Sequence, residues 1–137
     1  MINMNYVTAN PIVTQYPFLR GTQIGTINYR SNKLLIEVIS CDKDEIVFVE
    51  FEGVIGFRVL DERNILEYWP TCSTPNGWIY EIESGGWIHS ETIRLKNYDS
   101  EFHSAKEYLV GGIDECVSVL SLQAPIIRSP EFINKKW

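Results

Sequence analysis

The chain has 137 residues, of which 45% are hydrophobic and 22% charged, and a formal net charge of −6. These values are typical of one soluble globular domain and exclude a disordered chain, because this length buries a core without disulfides or metal ions. We expect a single domain over residues 1–137, with residues 1–18 as a loosely structured N-terminal arm.

Neither the N-terminus nor the cysteines indicate an exported protein. Residues 1–16 have no basic region followed by an apolar core, so no signal peptide is expected, and no apolar run approaches the roughly 20 residues that span a bilayer. The three cysteines are widely spaced and form no CxxC motif, which argues against a disulfide framework or a zinc knuckle. Cys116 is interpreted as a small core residue, and the protein is expected to be cytoplasmic.

The first part of the chain predicts a meander of strands. Residues 23–30 and 33–40 are rich in Ile, Leu and Val, and Ser31-Asn32 between them predicts a hairpin. The second run is apolar at both its odd-numbered and its even-numbered positions, so both faces of the strand are apolar and we expect it in the centre of its sheet. Residues 45–51 predict the next strand.

Two glycines and a proline divide the segment that follows. Gly53 and Gly56 interrupt an apolar stretch, which predicts a bulge or sharp bend that lets a sheet curl over a core. Residues 61–69 are the best helix candidate, because Asp61 can cap the first turn and Pro70 ends the pattern.

The second half adds further strands. Residues 78–83 alternate in polarity, and Gly85-Gly86 predicts a two-residue hairpin into a strand at 87–95. Trp78 and Trp87 would then be core aromatics of adjacent strands. The remaining predicted elements are a polar loop at 96–104, a single helical turn at 105–109 and a late strand at 115–122.

Together these elements predict a mainly β fold, with an α+β fold as the alternative. We expect a curved antiparallel sheet, or a partly closed barrel or sandwich, with one or two short helices.

Charge is unevenly distributed along the chain. Between Glu37 and Glu91 there are twelve acidic and three basic residues, a net charge of −9, whereas the remainder has six acidic and nine basic residues, a net charge of +3. Such a segment repels phosphate backbones and anionic lipids and attracts basic proteins. We therefore expect a cationic protein partner, no nucleic acid and no membrane, although a charge run is often only a solvated face.

The acidic segment also supplies the candidate binding residues. Carboxylates beside exposed aromatic side chains suit a basic, arginine-rich surface, because the charges speed the encounter and the aromatics anchor it. The residues predicted to contact the partner are Glu50, Glu52, Asp61, Glu62, Glu67, Tyr68 and Trp69.

No catalytic, cofactor-binding or metal-binding site is predicted, and we expect no enzymatic activity. His89 and Glu91 lie two residues apart, but the predicted hairpin register turns Glu81 and Glu83 to the other face. His103 has no second histidine at metal-binding spacing. Gly111-Gly112 has no P-loop Lys-Ser/Thr after it and is interpreted as a turn.

Two alternatives remain open. One is a small-molecule-binding or catalytic barrel in which Tyr80, Trp87, His89 and Glu91 line a cavity. The other is a structural or assembly subunit.

Several segments resemble small bacterial proteins encoded beside polymorphic or contact-dependent growth-inhibition toxins, the immunity proteins. The resemblance implies a non-enzymatic cytoplasmic protein that binds one cognate toxin domain, often a nuclease, and blocks its active site or substrate surface. It implies no particular interface residue. The resembling segments are residues 51–62, 67–69, 77–81, 85–87, 107–109 and 116–121.

Overall fold

The computed structural model describes residues 7–18, 20–41, 45–61, 68, 72, 77–87 and 104–132. Within these residues, nine β-strands form two antiparallel sheets, and a one-turn 3-10 helix, Pro130–Phe132, follows the last strand. The strands are β1 Thr8–Pro11, β2 Thr22–Arg30, β3 Lys33–Ser40, β4 Ile46–Phe51, β5 Val54–Asp61, β6 Ile79–Ser84, β7 Lys106–Val110, β8 Glu115–Ser121 and β9 Ile126–Arg128.

The two sheets are open and pack as a sandwich. The five-stranded sheet has the order β1-β6-β7-β8-β5, and the four-stranded sheet has the order β2-β3-β4-β9. The prediction of a mainly β fold with curved antiparallel sheets is thus confirmed, in its sandwich form and not as a closed barrel.

The β2–β3 hairpin is confirmed together with its turn. Ser31 and Asn32 have φ values of 49° and 69°, the left-handed pair that a type I′ turn requires, and Arg30 pairs with Lys33 across it. The predicted central position of β3 is also correct, because β2 and β4 flank it.

The core lies between the sheets. The fully buried side chains of Leu34, Ile36 and Val38 on β3 face the five-stranded sheet, and the rings of Phe51 and Tyr108 meet across the interface with centroids 5.5 Å apart. Burying each such side chain stabilises the fold by about 1.5–3 kcal/mol.

A second apolar cluster covers the other face of the five-stranded sheet. It consists of Val7, Tyr68, Tyr80, Ile82, Leu109 and Cys116, so this sheet is buried on both faces. Cys116 is therefore a core residue, as predicted, and the buried Trp78 anchors the edge of the main core by donating its Nε1–H to the Tyr16 carbonyl at 2.7 Å.

The region around β6 and β7 differs from the prediction. Strand β6 has β1 on one side and β7 on the other, so it has no free edge for the predicted hairpin; Trp87 lies outside any strand, and residues 88–95 of the predicted strand lie outside the described residues. Residues 105–109 were predicted as a helical turn, but residues 106–109 belong to β7. So short a segment has no periodicity that separates a helical turn from a strand.

The boundaries of other elements also differ from the prediction. Residues 8–11, expected in a loose arm, form β1 and pair with β6. Asp61 ends β5, while residues 62–67 and 69 of the predicted helix lie outside the described residues. The predicted bulge is confirmed, because the β5–β8 register shifts between Val54 and Gly56, and Gly53 has a φ of +67°.

The type I′ turn generates a stability prediction. Changing Ser31→Asn together with Asn32→Gly should raise the free energy of unfolding by about 0.5–1 kcal/mol, because these residues adopt positive φ with less strain. Urea denaturation measures the change. Asn28→Gly, in the extended backbone of β2, is the matched control and should destabilise; equal effects of the two changes would contradict the turn assignment.

Candidate functional site

The seven predicted partner-binding residues do not form one exposed surface. Glu50 is only 4% exposed, and its Oε1 accepts hydrogen bonds from Nε and Nη2 of Arg128 at 3.1 and 3.0 Å. Tyr68 is fully buried under the five-stranded sheet. Both side chains are thus engaged in contacts within the fold, and their contact with a partner stays a prediction.

The other five predicted residues divide into two groups. Glu52 is half-exposed after β4, with its Oε1 3.4 Å from Lys33 Nζ, and Asp61 is exposed at the end of β5 in the other sheet. Glu62, Glu67 and Trp69 lie outside the described residues.

Ion pairs join the acidic segment to the basic remainder of the chain. Among the described residues, three acids of the segment meet bases from outside it: Glu50 with Arg128, Glu52 with Lys33, and Glu81 with Lys106 at 3.7 Å. The tertiary structure thus compensates part of the charge that the sequence separates. The net charge of −6 is unchanged, so attraction to a basic protein persists at long range.

These ion pairs differ in burial, so breaking them should change the free energy of unfolding by different amounts. Glu50→Gln should lower the free energy of unfolding by about 2–4 kcal/mol, because it leaves the Arg128 guanidinium without its charged partner. Glu52→Gln, the matched control in a surface pair, should cost at most about 1 kcal/mol. Denaturant titrations measure both, and equal losses would contradict the assignment of Glu50 as a structural carboxylate.

The outer face of the four-stranded sheet carries the apolar side chains that sequence reasoning missed as a site. Side chains alternate along a strand, so the inward orientation of Leu34, Ile36 and Val38 places the residues between them on the opposite face. We call this surface the outer apolar face; its members are Leu35, which is buried, and the partly exposed Ile39, Ile46, Phe48 and Ile126. The sequence feature that could have indicated this face is that β3 is apolar at both its odd-numbered and its even-numbered positions.

Charged side chains of both signs lie beside Phe48 on this face. Glu37 and Arg128 lie directly opposite Phe48 on its two neighbouring strands, and the exposed Glu45 precedes Ile46. Glu37 Oε1 accepts a hydrogen bond from the Thr26 amide at 3.0 Å and fills the space beside Gly25. The half-buried Phe48 therefore combines an aromatic ring with an adjacent carboxylate, the arrangement expected at Tyr68 and Trp69.

A buried polar cluster lies on the outer face of the five-stranded sheet. Glu107 is fully buried, and its Oε2 accepts hydrogen bonds from the Tyr68 hydroxyl at 2.5 Å and the Ser118 hydroxyl at 3.0 Å. Arg58 Nη2 donates to the Tyr68 oxygen at 3.2 Å, and the guanidinium carbon lies 4.7 Å from the centroid of the Trp87 ring.

This cluster holds its tyrosine in the neutral form. Burial, and then the neighbouring Glu107 carboxylate, raise the pKa of Tyr68 above its usual range, with Arg58 opposing the shift. Tyr68 therefore remains a hydrogen-bond donor at physiological pH. Because Glu107 is inaccessible to solvent and already accepts two hydroxyl donors, the cluster suits the fastening of chain segments better than catalysis.

The alternative aromatic cavity is not assembled by its described members. Tyr80 is buried in the second apolar cluster and donates its hydroxyl to the Gly77 carbonyl at 2.8 Å, whereas Trp87 packs on Arg58; His89 and Glu91 lie outside the described residues. In the described part of the chain, no group of three His, Cys, Asp or Glu side chains could hold a metal ion. There too, no helix has the length and apolarity to cross a membrane.

Comparisons of the chain with protein-family models, curated proteins and solved structures found no match.

The raised pKa of Tyr68 leads to a prediction about stability at alkaline pH. An unfolded tyrosine ionises near pH 10, whereas Tyr68 stays protonated there in the folded protein, so the folded state binds more protons and stability falls as pH rises through this range. Tyr68→Phe should reduce the loss of unfolding free energy between about pH 9 and 11 by about 1 kcal/mol. Urea titrations at each pH measure this.

Some alkaline loss should remain in that variant, because burial also raises the pKa of Tyr80 and Tyr108. Parallel profiles for the wild type and Tyr68→Phe would contradict the buried, hydrogen-bonded state of this hydroxyl.

Proposed function

We propose that this protein is a binding protein of the immunity type, which neutralises a basic toxin domain by covering its active site or nucleic-acid-binding surface. The observation that carries the proposal is the outer apolar face, where Phe48 lies directly opposite Glu37 within an acidic protein. The proposed partner is a protein with a basic surface, and the proposed role includes no catalytic step by this chain.

Charge complementarity supports a basic partner. The described carboxylates beside the outer apolar face are Glu37 on β3 and the exposed Glu45 before β4. The sequence between β3 and β4 adds Asp42, Lys43 and Asp44, which lie outside the described residues. Together with the net charge of −6, these carboxylates would steer a cationic surface toward this face.

The apolar side chains support a role as anchors. Binding energy at interfaces is concentrated in a few aromatic and large apolar residues, while charges mainly determine the association rate. Phe48 is half-buried and Ile126 is 45% exposed, so both retain surface that a partner can cover. A toxin whose basic cleft receives this face would lose access to its nucleic-acid substrate.

Isolation of a complex is the first test. The protein should co-purify with the toxin domain encoded by the adjacent gene and should abolish its activity at equimolar concentration. The association rate should fall as salt is raised, because exposed charges are screened over about 10 Å at 0.1 M ionic strength. Absence of a complex, or an association rate indifferent to salt, would contradict the proposal.

A matched pair of double variants tests the surface. Phe48→Ser with Glu45→Lys should weaken the complex by at least about 100-fold, since it removes an aromatic anchor and reverses a charge. Ile113→Ser with Asp114→Lys makes the same kinds of change at an exposed apolar residue and an exposed acid in the β7–β8 connection, so affinity should change by less than about threefold. Equal losses in the two variants would overturn the assignment of this face.

A further inference from the structure

The buried Glu107 contacts both long connections of the five-stranded sheet. The β5–β6 connection, residues 62–78, contributes Tyr68, and the β6–β7 connection, residues 85–105, contributes Gly86 and Trp87. These residues lie far apart in the sequence, yet their contacts converge on the outer face of the same sheet.

The two oxygens of Glu107 serve different connections. Oε2 accepts from the Tyr68 hydroxyl of the first connection and from Ser118 of β8. Oε1 lies so close to Gly86 of the second connection that a Cβ added there would be 2.3 Å from it, nearer than side chains approach one another. Only a glycine backbone fits against the carboxylate at this position.

Arg58 of β5 makes a second link between the same connections. Its Nη2 donates to the Tyr68 hydroxyl, and its guanidinium packs against the Trp87 ring. Arg58 Nε is buried without a hydrogen-bond partner among the described residues, so this link is incompletely satisfied. Glu107, with hydroxyl donors from two elements, is the better-satisfied member of the cluster.

We propose that Glu107 is a shared clasp that fastens both connections to the outer face of the five-stranded sheet, so that the two are released together. A buried carboxylate is stable only while donors surround it. Loss of the Tyr68 hydroxyl removes one donor and favours entry of water at the carboxylate. This also weakens the packing of Gly86 against Glu107. Any partner that displaces one connection would therefore loosen the other.

Hydrogen exchange in the full chain, followed by mass spectrometry, tests this coupling. Tyr68→Phe should accelerate exchange about tenfold in peptides that contain Gly86 and Trp87, as well as in those that contain Tyr68, consistent with loss of a hydrogen bond to a charged group. Tyr80→Phe is the matched control, because it removes another buried hydroxyl on this sheet face that donates to Gly77 instead. It should leave the Gly86–Trp87 peptides within about twofold of the wild type.

Glu107→Gln should accelerate exchange in both connections while leaving β2, β3 and β4 unchanged. Acceleration confined to one connection, or spread uniformly over both sheets, would overturn the clasp. If Glu107→Gln does not fold, the comparison of Tyr68→Phe with Tyr80→Phe decides, and equal exchange at Gly86–Trp87 in these two variants would refute the proposal. None of these measurements involves a toxin, so they are independent of the proposed function.

Discussion

Packing of the two sheets against each other determines the direction of the other side chains in this protein. Because side chains alternate along a strand, burial of Ile36 in the core turns its neighbours Leu35 and Glu37 to the outer apolar face. The same alternation in β7 directs Tyr108 into the core and Glu107 beneath the connections. A register slip of one residue would exchange these faces, and the sandwich would then bury Glu37 and Glu107 in its apolar interior.

Two of the described glutamates are buried, and the fold stabilises them by different means. Glu50 accepts two hydrogen bonds from the Arg128 guanidinium, which attaches β9 to β4 with full charge compensation. Glu107 accepts from two hydroxyl groups, with Arg58 one step away behind Tyr68. A guanidinium suits the rim of a sheet, where its charge remains partly hydrated. At the fully buried site, neutral hydroxyl donors satisfy lone pairs of the carboxylate, and the Arg58 guanidinium behind Tyr68 supplies a positive charge nearby.

Ion pairing changes what the acidic segment can contribute to binding. Its pairs with Lys33, Lys106 and Arg128 occupy carboxylates that the sequence leaves available, and the pair of Glu50 with Arg128 joins β4 to β9, which lie far apart in the chain. The overall charge still favours a basic partner at long range. Tyr68 is buried, whereas Phe48 on the four-stranded sheet keeps part of its surface exposed.

The sequence by itself determined the β class, the β2–β3 hairpin, the bulge near Gly53 and the buried positions of Cys116 and Trp78. These features depend on local patterns, namely turn chemistry, glycines and apolar runs, which neighbouring residues decide. Only the tertiary structure decided that β6 pairs with β1 and β7, that Glu50 meets Arg128 and that Tyr68 meets Glu107. Each of these contacts joins residues at least 39 positions apart or depends on which strand edges are already occupied, and no local pattern encodes either condition.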